Sequence, residues 1–424
     1  MTAEFNLLSV EEAKQLDAAR VAELFCKFMN PGQYHFLKLL GFHKVLINTA
    51  EGMYYTARDG RKILDFFGGF GTIACGHNHP RILGVRKRFQ DELRHEMAIA
   101  FMSQYAAALS QNLAAIAPGD LEISLLCCSG SEAVEAALKL AERAQHPRNK
   151  IAYAEQSFHG KTRGALSVTD GALYRADFQL LANCVRVPFG DAAALEEALR
   201  RDPDIGTLIV ESIQGGAGHE EVIPDIVTLA KALGGGKCAM GAMIAKTPLY
   251  LKAYGTPKTA LIHGPATFGA MGEACCTAIE TLNVLVEEDL IRNAEVQGTY
   301  LAEQLRRLQT KYPSIVKEVR GRGLMVGIEF NDLSQTLPIG LKQIVSMLDE
   351  KLKGSLCGFI GSLLLAEHNI LVAFTEYNRN VIRLEPPLII EKNHIDTLTE
   401  ALEALLSSGP AGIVMRYAKH FLKK

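Results

Sequence analysis

The stretch Ile123-Ser-Leu-Leu-Cys-Cys128-Ser129-Gly130-Ser131-Glu132 passes from an apolar run to small polar residues, and an alanine-rich segment follows at 133–143. The apolar run predicts a buried strand, and the alanine-rich segment has the composition of a helix. Further short apolar runs stand at 150–154, 185–189 and 207–210. This alternation of strand, loop and helix predicts an α/β fold built on a mostly parallel sheet.

The pattern differs on both sides of this region. Apolar positions at helical spacing predict a helix over 9–29, and Pro31-Gly32 is expected to end it. Two short strands are predicted around the turn at Asp59-Gly60. Long amphipathic helices are predicted over about 271–311, and strands interleave with helices near the C-terminus. The C-terminal region is therefore expected to form an α+β part.

Composition excludes several classes of function. The chain has 424 residues and a net charge of −2, so it lacks the basic surface expected of a protein that binds nucleic acid. We find no apolar run long enough to span a membrane and no signal peptide at the N-terminus. The nine cysteines lack the spacing of a disulfide framework or a metal site. Reduced thiols in a cytoplasmic protein are the simplest interpretation, and no metal site is predicted.

Lys231 is the first candidate for chemistry. It stands in an apolar run and is followed by Gly234-Gly-Gly236. Apolar neighbours are expected to desolvate its ammonium group and favour the neutral amine that attacks carbonyl groups. The glycines permit positive φ and close approach of the backbone to a bulky group. A solvated helix end is the alternative for such a pattern.

Two further segments suit a phosphorylated aromatic ligand. Ser129-Gly130-Ser131 lies between a strand and a helix, where backbone N–H groups and the helix dipole favour a phosphate. Ordinary N-capping by a serine is the alternative. Phe158-His159-Gly160 ends a strand segment, and Phe158 is suited to stacking on a flat ring, although a core phenylalanine would look the same.

Polar residues at predicted strand ends complete the pattern. Glu211 and Gln214 follow the apolar strand at 207–210, where ligands bind in parallel α/β sheets. Thr267 offers a hydroxyl beside flexible backbone. Arg383 stands inside an apolar strand and requires a carboxylate, which either Glu385 or a substrate supplies. A phosphate cradle, a stacking ring, an activated lysine and an arginine together predict a pyridoxal-phosphate enzyme acting on amino and keto compounds.

The chain resembles the class III, or ω-amino-acid, aminotransferases of pyridoxal-phosphate fold type I. The motifs that carry the resemblance follow family order along nearly the whole chain. They are Gly76-His-Asn-His-Pro80, Pro118-Gly119, the segment 129–140, Phe158-His-Gly-Lys-Thr-Arg-Gly-Ala-Leu-Ser167, Glu211-Ser-Ile-Gln-Gly215, the segment 224–236, Thr267-Phe-Gly269, Arg320-Gly-Arg-Gly-Leu-Met325 and Arg383-Leu-Glu-Pro-Pro-Leu388. The loop Gly68-Gly-Phe-Gly71 and the Glu-Pro-Pro ending look most similar to putrescine aminotransferases.

The resemblance implies a role for each candidate. Lys231 would bond covalently to pyridoxal phosphate and carry the proton during catalysis. Gly130 and Ser131, beside Ser129, would bind the cofactor phosphate together with Thr267 from a partner subunit. Phe158 would stack on the pyridine ring with His159 beside it, and Glu211 and Gln214 would lie near the cofactor. Arg383 would hold the carboxylate of the amino acceptor, and Phe70 would contact substrate.

The resemblance also implies an architecture. Residues 76–312 would form the large pyridoxal-phosphate-binding domain with the mostly parallel sheet. Residues 1–75 and 313–424 would build a smaller α+β domain. Because active sites in the family lie between subunits, a homodimer with shared active sites is expected.

One large departure lies between Gly218 and His219. Members of the family carry a further helix and strand there, about forty residues long, and a parallel crossover needs such a unit. That strand ends in an Asp-Glu-Val-Gln-type motif whose aspartate pairs with the pyridinium nitrogen, and Asp225 is a weak stand-in for it. Losing a central strand would expose two sheet edges. Either the natural protein carries a segment that this sequence lacks, or the deletion is genuine.

Smaller departures are Cys128 where the family has Asn, Gly216 where it has Glu, and Ala270-Met-Gly272 after the Thr-Phe-Gly motif. We expect transfer of an amino group from a terminal amine or ω-amino donor resembling putrescine to a keto acid such as 2-oxoglutarate. Two alternatives stay open. One is a catalytically crippled or non-catalytic homologue that keeps the fold, and the other is a different pyridoxal-phosphate reaction such as an aminomutase.

Overall fold

A computed structural model describes residues 7–97, 101–214, 217–218, 223–263, 267–332, 337, 341, 356–375 and 377–421. The helices, in chain order, are α1 (Val10–Gln15), α2 (Ala18–Phe28), α3 (Pro31–Leu39), α4 (Gly68–Gly71), α5 (Pro80–Asp91), α6 (Gln104–Ile116), α7 (Gly130–Gln145), α8 (Arg163–Ser167), α9 (Ala172–Arg175), α10 (Ala192–Arg201), α11 (Thr247–Tyr254), α12 (Ala260–His263), α13 (Gly272–Glu287), α14 (Leu290–Lys311), α15 (Leu356–His368), α16 (Lys392–Leu406) and α17 (Gly409–Phe421). Short 3-10 turns stand at Phe42–Lys44 and Lys231–Gly234.

The strands of the described residues form five sheets. In chain order they are β1 (Ile47–Glu51), β2 (Tyr54–Ala57), β3 (Lys62–Asp65), β4 (Leu121–Cys127), β5 (Lys150–Ala154), β6 (Cys184–Val187), β7 (Ile205–Ile209), β8 (Ile213–Gln214), β9 (Ala217–Gly218), β10 (Ile226–Leu229), β11 (Gly241–Lys246), β12 (Val316–Arg322), β13 (Met325–Phe330), β14 (Ile370–Leu371), β15 (Ala373–Phe374) and β16 (Val381–Leu384).

The two ends of the chain share a sheet. β1, β2 and β3 form an antiparallel meander, and β14 from the C-terminal region pairs parallel to β3. A second, fully antiparallel sheet has the order β12-β13-β16-β15. One apolar cluster joins both sheets and includes Phe66, Phe330 and Tyr417, each buried. Packing of the N-terminal strands against the C-terminal part thus buries a common core.

The central strands form two separate sheets of three strands each. β6, β5 and β7 are parallel, in that order. In the other sheet β11 lies between β10 and β4 and is antiparallel to both. Among the described strands, β7 pairs only with β5 and β10 only with β11, so each has one edge without a strand partner in the described part of the chain. The α/β architecture agrees with the sequence prediction, but the expected single sheet is divided.

Helix α7 connects these two sheets by packing. Its buried residues contact β4, β10 and β11 on one side and β7 on the other. Residues such as Ala133 and Leu140 join the apolar cluster of β11, whereas Val134 and Leu138 join that of β5. Alanine-rich faces allow close approach of a helix to a sheet, and the sequence 133–144 supplies them. The helix therefore holds both halves together where no strand does.

The N-terminal prediction was wrong in one respect. The segment expected as one helix is divided into α1 and α2, capped by Ser9 and Asp17. Pro31 does not simply end that segment, because it begins α3 at the first helical position with Asn30 as the cap. Proline is favoured at this position because its missing N–H would have no partner there.

Two observations bear on the composition argument. Burial raises the pKa of the Cys127 and Cys275 thiols to about 12, so both stay protonated at neutral pH. Among the helices that the structure describes, none combines the length and apolarity needed to cross a bilayer.

Candidate active site

Four of the predicted site segments lie just beyond the C-terminal ends of strands. Ser129 follows β4, Phe158 follows β5, Glu211 follows β7 and Lys231 follows β10. Direct contacts link them: a Cβ placed on Gly130 would lie 3.1 Å from the Ala230 Cβ, the neighbour of Lys231. The described residues thus bring together groups that are about a hundred positions apart in sequence.

The helix α7 N-terminus combines a cap with a polar opening. The Ser129 Oγ accepts a hydrogen bond from the Glu132 N–H at 3.2 Å, and a Glu132 oxygen accepts from the Cys128 N–H at 2.6 Å. The capping alternative for Ser129 is therefore correct. The N–H groups of Gly130 and Ser131 belong to the first helical turn, where no helical carbonyl can reach them. They remain available to an anion.

The loop after β5 packs tightly on this helix start. The Lys161 N–H donates to the Ser131 Oγ at 3.4 Å. Gly160 has a φ of +138°, and a Cβ added there would lie 2.3 Å from the Ser131 Oγ. The His159 and Gly160 N–H groups both donate to the Thr169 Oγ1, at 2.9 and 3.2 Å. Glycine at 160 is thus required for the loop to reach the helix terminus.

Phe158 and His159 differ in their surroundings. The Phe158 side chain is 38% exposed and contacts the Tyr174 ring edge-on, with centroids 5.7 Å apart. It is therefore not the core phenylalanine of the alternative interpretation. Burial lowers the pKa of His159 to about 4, and its Nε2 is buried without a hydrogen-bond partner in the structure. His159 is a neutral imidazole at physiological pH.

Glu211 lies at the centre of the charged groups. Its Oε2 accepts a hydrogen bond from the Phe158 N–H at 2.9 Å. Burial raises the pKa of this carboxyl, while the hydrogen bond and the charges of Lys231 and Arg383 act in the opposite direction. Gln214 also hydrogen-bonds to it and donates from Nε2 to the Glu155 carbonyl at 2.7 Å. The carboxylate thus lies within electrostatic reach of both candidate cations.

Lys231 is exposed, so the expectation that its apolar neighbours desolvate it is wrong for this chain taken alone. Its φ is +53°, an uncommon value for a non-glycine residue, and it begins a 3-10 turn. The glycine prediction was correct: Gly235 and Gly236 have φ of +59° and +68°. Their backbones approach Thr281 and Ile73, so the bulky groups beside these glycines are side chains of the same chain.

Arg383 has an internal partner. Its guanidinium pairs with Glu385, which directly follows β16, and it lies over the Phe70 ring at 5.9 Å from the centroid. Glu385 is 6% exposed, and its Oε2 is buried without a hydrogen-bond partner in the structure. Of the two options for Arg383, the structure thus contains the internal one, while the 31% exposed side chain leaves a free surface.

Asp65 stabilises the turn that contains Phe70. This buried carboxylate accepts hydrogen bonds from the N–H groups of Phe67 and Gly68, at 2.8 and 2.9 Å. The His77 Nε2 lies 2.8 Å from its other oxygen. Phe70 itself has a φ of +58° and is 45% exposed. The sequence offered no signal for this anchor, because Asp65 reads as an ordinary strand end.

Tyr174 and Tyr377 are two further residues beside the site that the sequence analysis missed. The Tyr377 hydroxyl lies 2.8 Å from the Ser157 carbonyl and 2.9 Å from that of Asp170, and its ring is next to Tyr174. Burial raises the pKa of Tyr377. These contacts join the C-terminal part to the Phe158 loop across about two hundred residues, so no local pattern indicated them.

Thr267 stands apart from these residues. It is exposed, and among the described residues its hydroxyl forms no hydrogen bond to Ser131, Glu211 or Lys231. Gly216, one of the smaller departures, and His219, which follows the large one, lie outside the described residues. The sequence analysis predicted no metal site, and one observation bears on that prediction. In the described parts of the chain, no three His, Cys, Asp or Glu side chains are grouped as a metal site would need.

The residues present fit a pyridoxal phosphate in part. A cradle of backbone N–H groups, a half-exposed aromatic ring and an accessible lysine amine meet in one place, which is the set that such a ligand needs. The carboxylate that would pair with the pyridinium nitrogen does not fit, because its stand-in, Asp225, lies at the other end of β10 from Lys231. Asp225 precedes β10 whereas Lys231 follows it, about 20 Å away at the rise of a strand. Its carboxylate is 74% exposed and pairs with the Lys246 Nζ at 3.1 Å.

Comparison with known proteins agrees with this geometry. The model of the class-III aminotransferase family matches residues 41–222 and 216–406, in two pieces that meet in the connection between β7 and β10. Aminotransferase PigE of Serratia sp. (strain ATCC 39006) is 32% identical over 447 residues, covering 88% of this chain and 52% of that protein. The chain therefore spans about half the length of that curated relative.

Solved structures show the same fold. A Toxoplasma gondii ornithine aminotransferase, whose title reports partial occupancy of pyridoxal phosphate, has a TM-score of 0.70 at 25% identity and covers 89% of this chain and 92% of its own. An (S)-enantioselective ω-transaminase from Thermomicrobium roseum has a TM-score of 0.77 at 23% identity, covering 93% and 99%. These structures are pyridoxal-phosphate fold type I transaminases, which agrees with the predicted fold class.

Proposed function

Because this chain belongs to the class-III aminotransferase family, whose cofactor is pyridoxal phosphate, we propose that it is an aminotransferase. We propose a terminal amine or ω-amino compound resembling putrescine as the donor, and a keto acid such as 2-oxoglutarate as the acceptor. The observation that carries the proposal is the meeting of Lys231, Glu211 and Arg383 beside the α7 N-terminus. An amine, a carboxylate and a guanidinium are the groups that this exchange requires.

The cofactor would be held by groups at the strand ends. The N–H groups of Gly130 and Ser131 suit its phosphate, since the helix N-terminus carries partial positive charge. The exposed Phe158 ring suits its aromatic face, with His159 neutral beside it. When bound, pyridoxal phosphate supplies an electron sink that stabilises negative charge on a substrate carbon.

The chain's own residues do the proton chemistry and the positioning. The Lys231 Nζ takes the proton from the substrate carbon that bears the amino group. Glu211 fixes the Phe158 loop through its hydrogen bond to the backbone N–H. Arg383 receives the acceptor carboxylate, and Glu385 neutralises the guanidinium when no acceptor is bound.

Assembly and location are part of the same proposal. We propose a homodimer with shared active sites, in which the partner subunit brings Thr267 to the phosphate, since Thr267 is exposed in the single chain. A cytoplasmic enzyme is consistent with the thiols. The domain limits at residues 75 and 312 stay a prediction.

One observation favours a second candidate, a non-catalytic or crippled homologue. The two central sheets are separate, and Asp225 is bound at the far end of β10 from Lys231. Without a carboxylate at the ring nitrogen the electron sink is weaker, so proton removal slows by orders of magnitude. The intact mass separates the cases. We expect 46.2 kDa for a genuine deletion, and about 4–5 kDa more where a segment of some forty residues forms the crossover.

The activity test measures amino transfer from putrescine to 2-oxoglutarate with purified protein and pyridoxal phosphate. Aldehyde and glutamate formed in equal amounts, and lost in Lys231→Ala, would support the proposal. Visible absorbance of bound cofactor without transfer would favour the crippled homologue. Isomerised amine formed without any keto acid would favour an aminomutase. If neither cofactor absorbance nor turnover is observed, the non-catalytic homologue is the candidate that remains.

A further inference from the structure

A tyrosine from the C-terminal part of the chain reaches the loop that carries Phe158. Tyr377 lies in the turn between β15 and β16, and Arg383 stands on β16. We propose that Tyr377 is a positioning residue, which sets the direction of the Phe158 ring by fixing the peptide group that precedes Phe158. This inference rests on the proposed function, because it assigns the Phe158 ring to the cofactor.

The peptide group between Ser157 and Phe158 is held on both sides. Its carbonyl belongs to Ser157 and accepts hydrogen bonds from the Tyr377 hydroxyl and the Asp170 N–H, both at 2.8 Å. Its N–H belongs to Phe158 and donates to the Glu211 Oε2 at 2.9 Å. Because a peptide group is planar, partners on both its C=O and its N–H restrict its rotation. The direction in which the Phe158 side chain leaves the backbone is therefore restricted as well.

The Tyr377 hydroxyl lies where the two ends of the Phe158 loop meet. Besides the Ser157 carbonyl, the carbonyl of Asp170 is 2.9 Å from it. A tyrosine hydroxyl has one proton, which it donates to either carbonyl. Burial raises the pKa of Tyr377, so the hydroxyl keeps this proton at neutral pH. One side chain thus binds both ends of the loop.

Aromatic contacts give Tyr377 a second connection to Phe158. The Tyr174 ring contacts both residues, with centroids 5.8 Å from that of Tyr377 and 5.7 Å from that of Phe158. The Tyr377 ring also packs closely on the backbone, because a Cβ placed on Gly171 would lie 2.9 Å from its Cε1. Edge-on and tilted aromatic pairs of this kind are favourable. The Phe158 ring is therefore supported through both its backbone and its edge.

The turn that carries Tyr377 is itself well ordered by hydrogen bonds. The Thr375 Oγ1 accepts from the N–H groups of Tyr377 and Asn378, both at 3.2 Å. The Val381 N–H donates to the Asn378 carbonyl at 3.1 Å, and β16, which Val381 begins, pairs with β13. The tyrosine thus extends from a fixed turn to the loop that it positions.

Removal of the Tyr377 hydroxyl should move the loop without unfolding it. The Ser157 carbonyl keeps its hydrogen bond from the Asp170 N–H, and the Ser157 hydroxyl keeps its bond to the Val168 carbonyl at 3.0 Å. The Tyr377 ring remains in Tyr377→Phe, so its packing on Gly171 and Tyr174 is retained. This substitution therefore isolates the contribution of one hydrogen bond to the position of Phe158.

The test measures binding of pyridoxine 5′-phosphate by isothermal titration calorimetry. This compound has a pyridine ring and a phosphate but no aldehyde, so it cannot bond to Lys231. Tyr377→Phe should weaken its binding about 3–10-fold, which corresponds to one neutral hydrogen bond. The matched control is Tyr300→Phe, which removes a hydroxyl that donates to Asp396 between α14 and α16. The control should bind as the wild type does.

A double-mutant cycle with Phe158→Leu separates positioning from a general loss of stability. If Tyr377 acts through the Phe158 ring, Tyr377→Phe should have no further effect on binding once that ring is replaced by leucine. An equal loss in both backgrounds would overturn the proposal. A wild type that binds, with Tyr377→Phe less than about twofold weaker, would overturn the positioning role alone. A wild type that binds no pyridoxine 5′-phosphate would overturn the cofactor site and the inference with it.

Amide hydrogen exchange tests the same contact without any ligand. We expect the Phe158 amide to exchange at least about threefold faster in Tyr377→Phe than in the wild type, because its peptide group has lost one partner. Tyr300→Phe should leave this exchange rate unchanged. Equal rates in Tyr377→Phe and the wild type would show that the hydroxyl does not fix this peptide group, and would overturn the proposal.

Discussion

Replacement of Gly160 by alanine tests the packing that forms the candidate phosphate site. A Cβ at this position would lie 2.3 Å from the Ser131 Oγ and 3.0 Å from the Ala165 Cβ, and φ is +138°. Strain of the backbone costs about 1–3 kcal/mol. Overpacking costs about 1–3 kcal/mol more. We therefore expect Gly160→Ala to lower the free energy of unfolding by about 2–6 kcal/mol.

The matched control is Gly60→Ala. Gly60 has a φ of +85°, but nothing lies within 4 Å of a Cβ built there. Both variants carry the same gain from a stiffer unfolded chain, so their difference isolates the clash at Ser131. Urea unfolding of both variants, followed by circular dichroism, gives this difference. It is expected to be about 1–3 kcal/mol.

The same clash should reach ligand binding, since it displaces the Ser131 hydroxyl and the start of α7. A shift worth about 1.4 kcal/mol would weaken pyridoxal phosphate about tenfold in Gly160→Ala. Gly60→Ala should bind as the wild type does. If Gly160→Ala unfolds no more easily than Gly60→Ala, the packing of the Phe158 loop on α7 is not as described, and the reasoning fails.

Three further perturbations follow from the site. Arg383→Ala should raise the KM for 2-oxoglutarate about 10–100-fold, because a charged hydrogen bond is lost. The KM for a carboxylate-free diamine should stay nearly unchanged. Equal effects on both KM values would contradict the assignment of Arg383 to the acceptor carboxylate. Burial lowers the pKa of His159 from 6.5 to about 4. The free energy of unfolding is therefore highest above pH 6.5, where the ring is neutral in both states, and it falls as the pH drops toward 4. Unfolding of His159→Gln against wild type should show a pH-dependent difference of about 3 kcal/mol across that window, and parallel curves would contradict it. Asp65→Ala should cost about 3 kcal/mol, because the N–H groups of Phe67 and Gly68 lose their acceptor; a cost below 1 kcal/mol in urea unfolding would show that the anchor is not needed.

Local patterns predicted the part of the site that lies at strand ends. Apolar runs located β4, β5 and β7, and the polar residues that follow them meet because parallel strands share one edge. The strand β10 before Lys231 was not predicted. Glu211 and Phe158 are linked by a hydrogen bond in this way. The prediction succeeded because each element is encoded within a few residues.

Contacts between distant segments had no such signal. Tyr377 reaches the Ser157 carbonyl across 220 residues, and no periodicity reports such a contact. The exposure of Lys231 also escaped prediction, because apolar neighbours in sequence point to other faces when the backbone turns at positive φ. Arg383 was the intermediate case, since residues two apart on a strand share a face, which made Glu385 one of two foreseeable partners.

The divided sheet was foreseeable from topology. Removal of one strand from the middle of a parallel sheet leaves two edges, and β7 and β10 are those edges in the structure. What the sequence did not indicate is how the two halves stay associated. That depends on α7, whose alanine-rich surface packs on both sheets.

The most direct test of the central claim asks which residue bonds to pyridoxal phosphate. The protein is incubated with the cofactor, reduced with borohydride, digested and mapped by mass spectrometry. We predict a phosphopyridoxyl group on Lys231, and its absence from that peptide in Lys231→Ala. Label on Lys237, whose pKa burial lowers, or no label on any lysine, would contradict the claim that this site is built around Lys231.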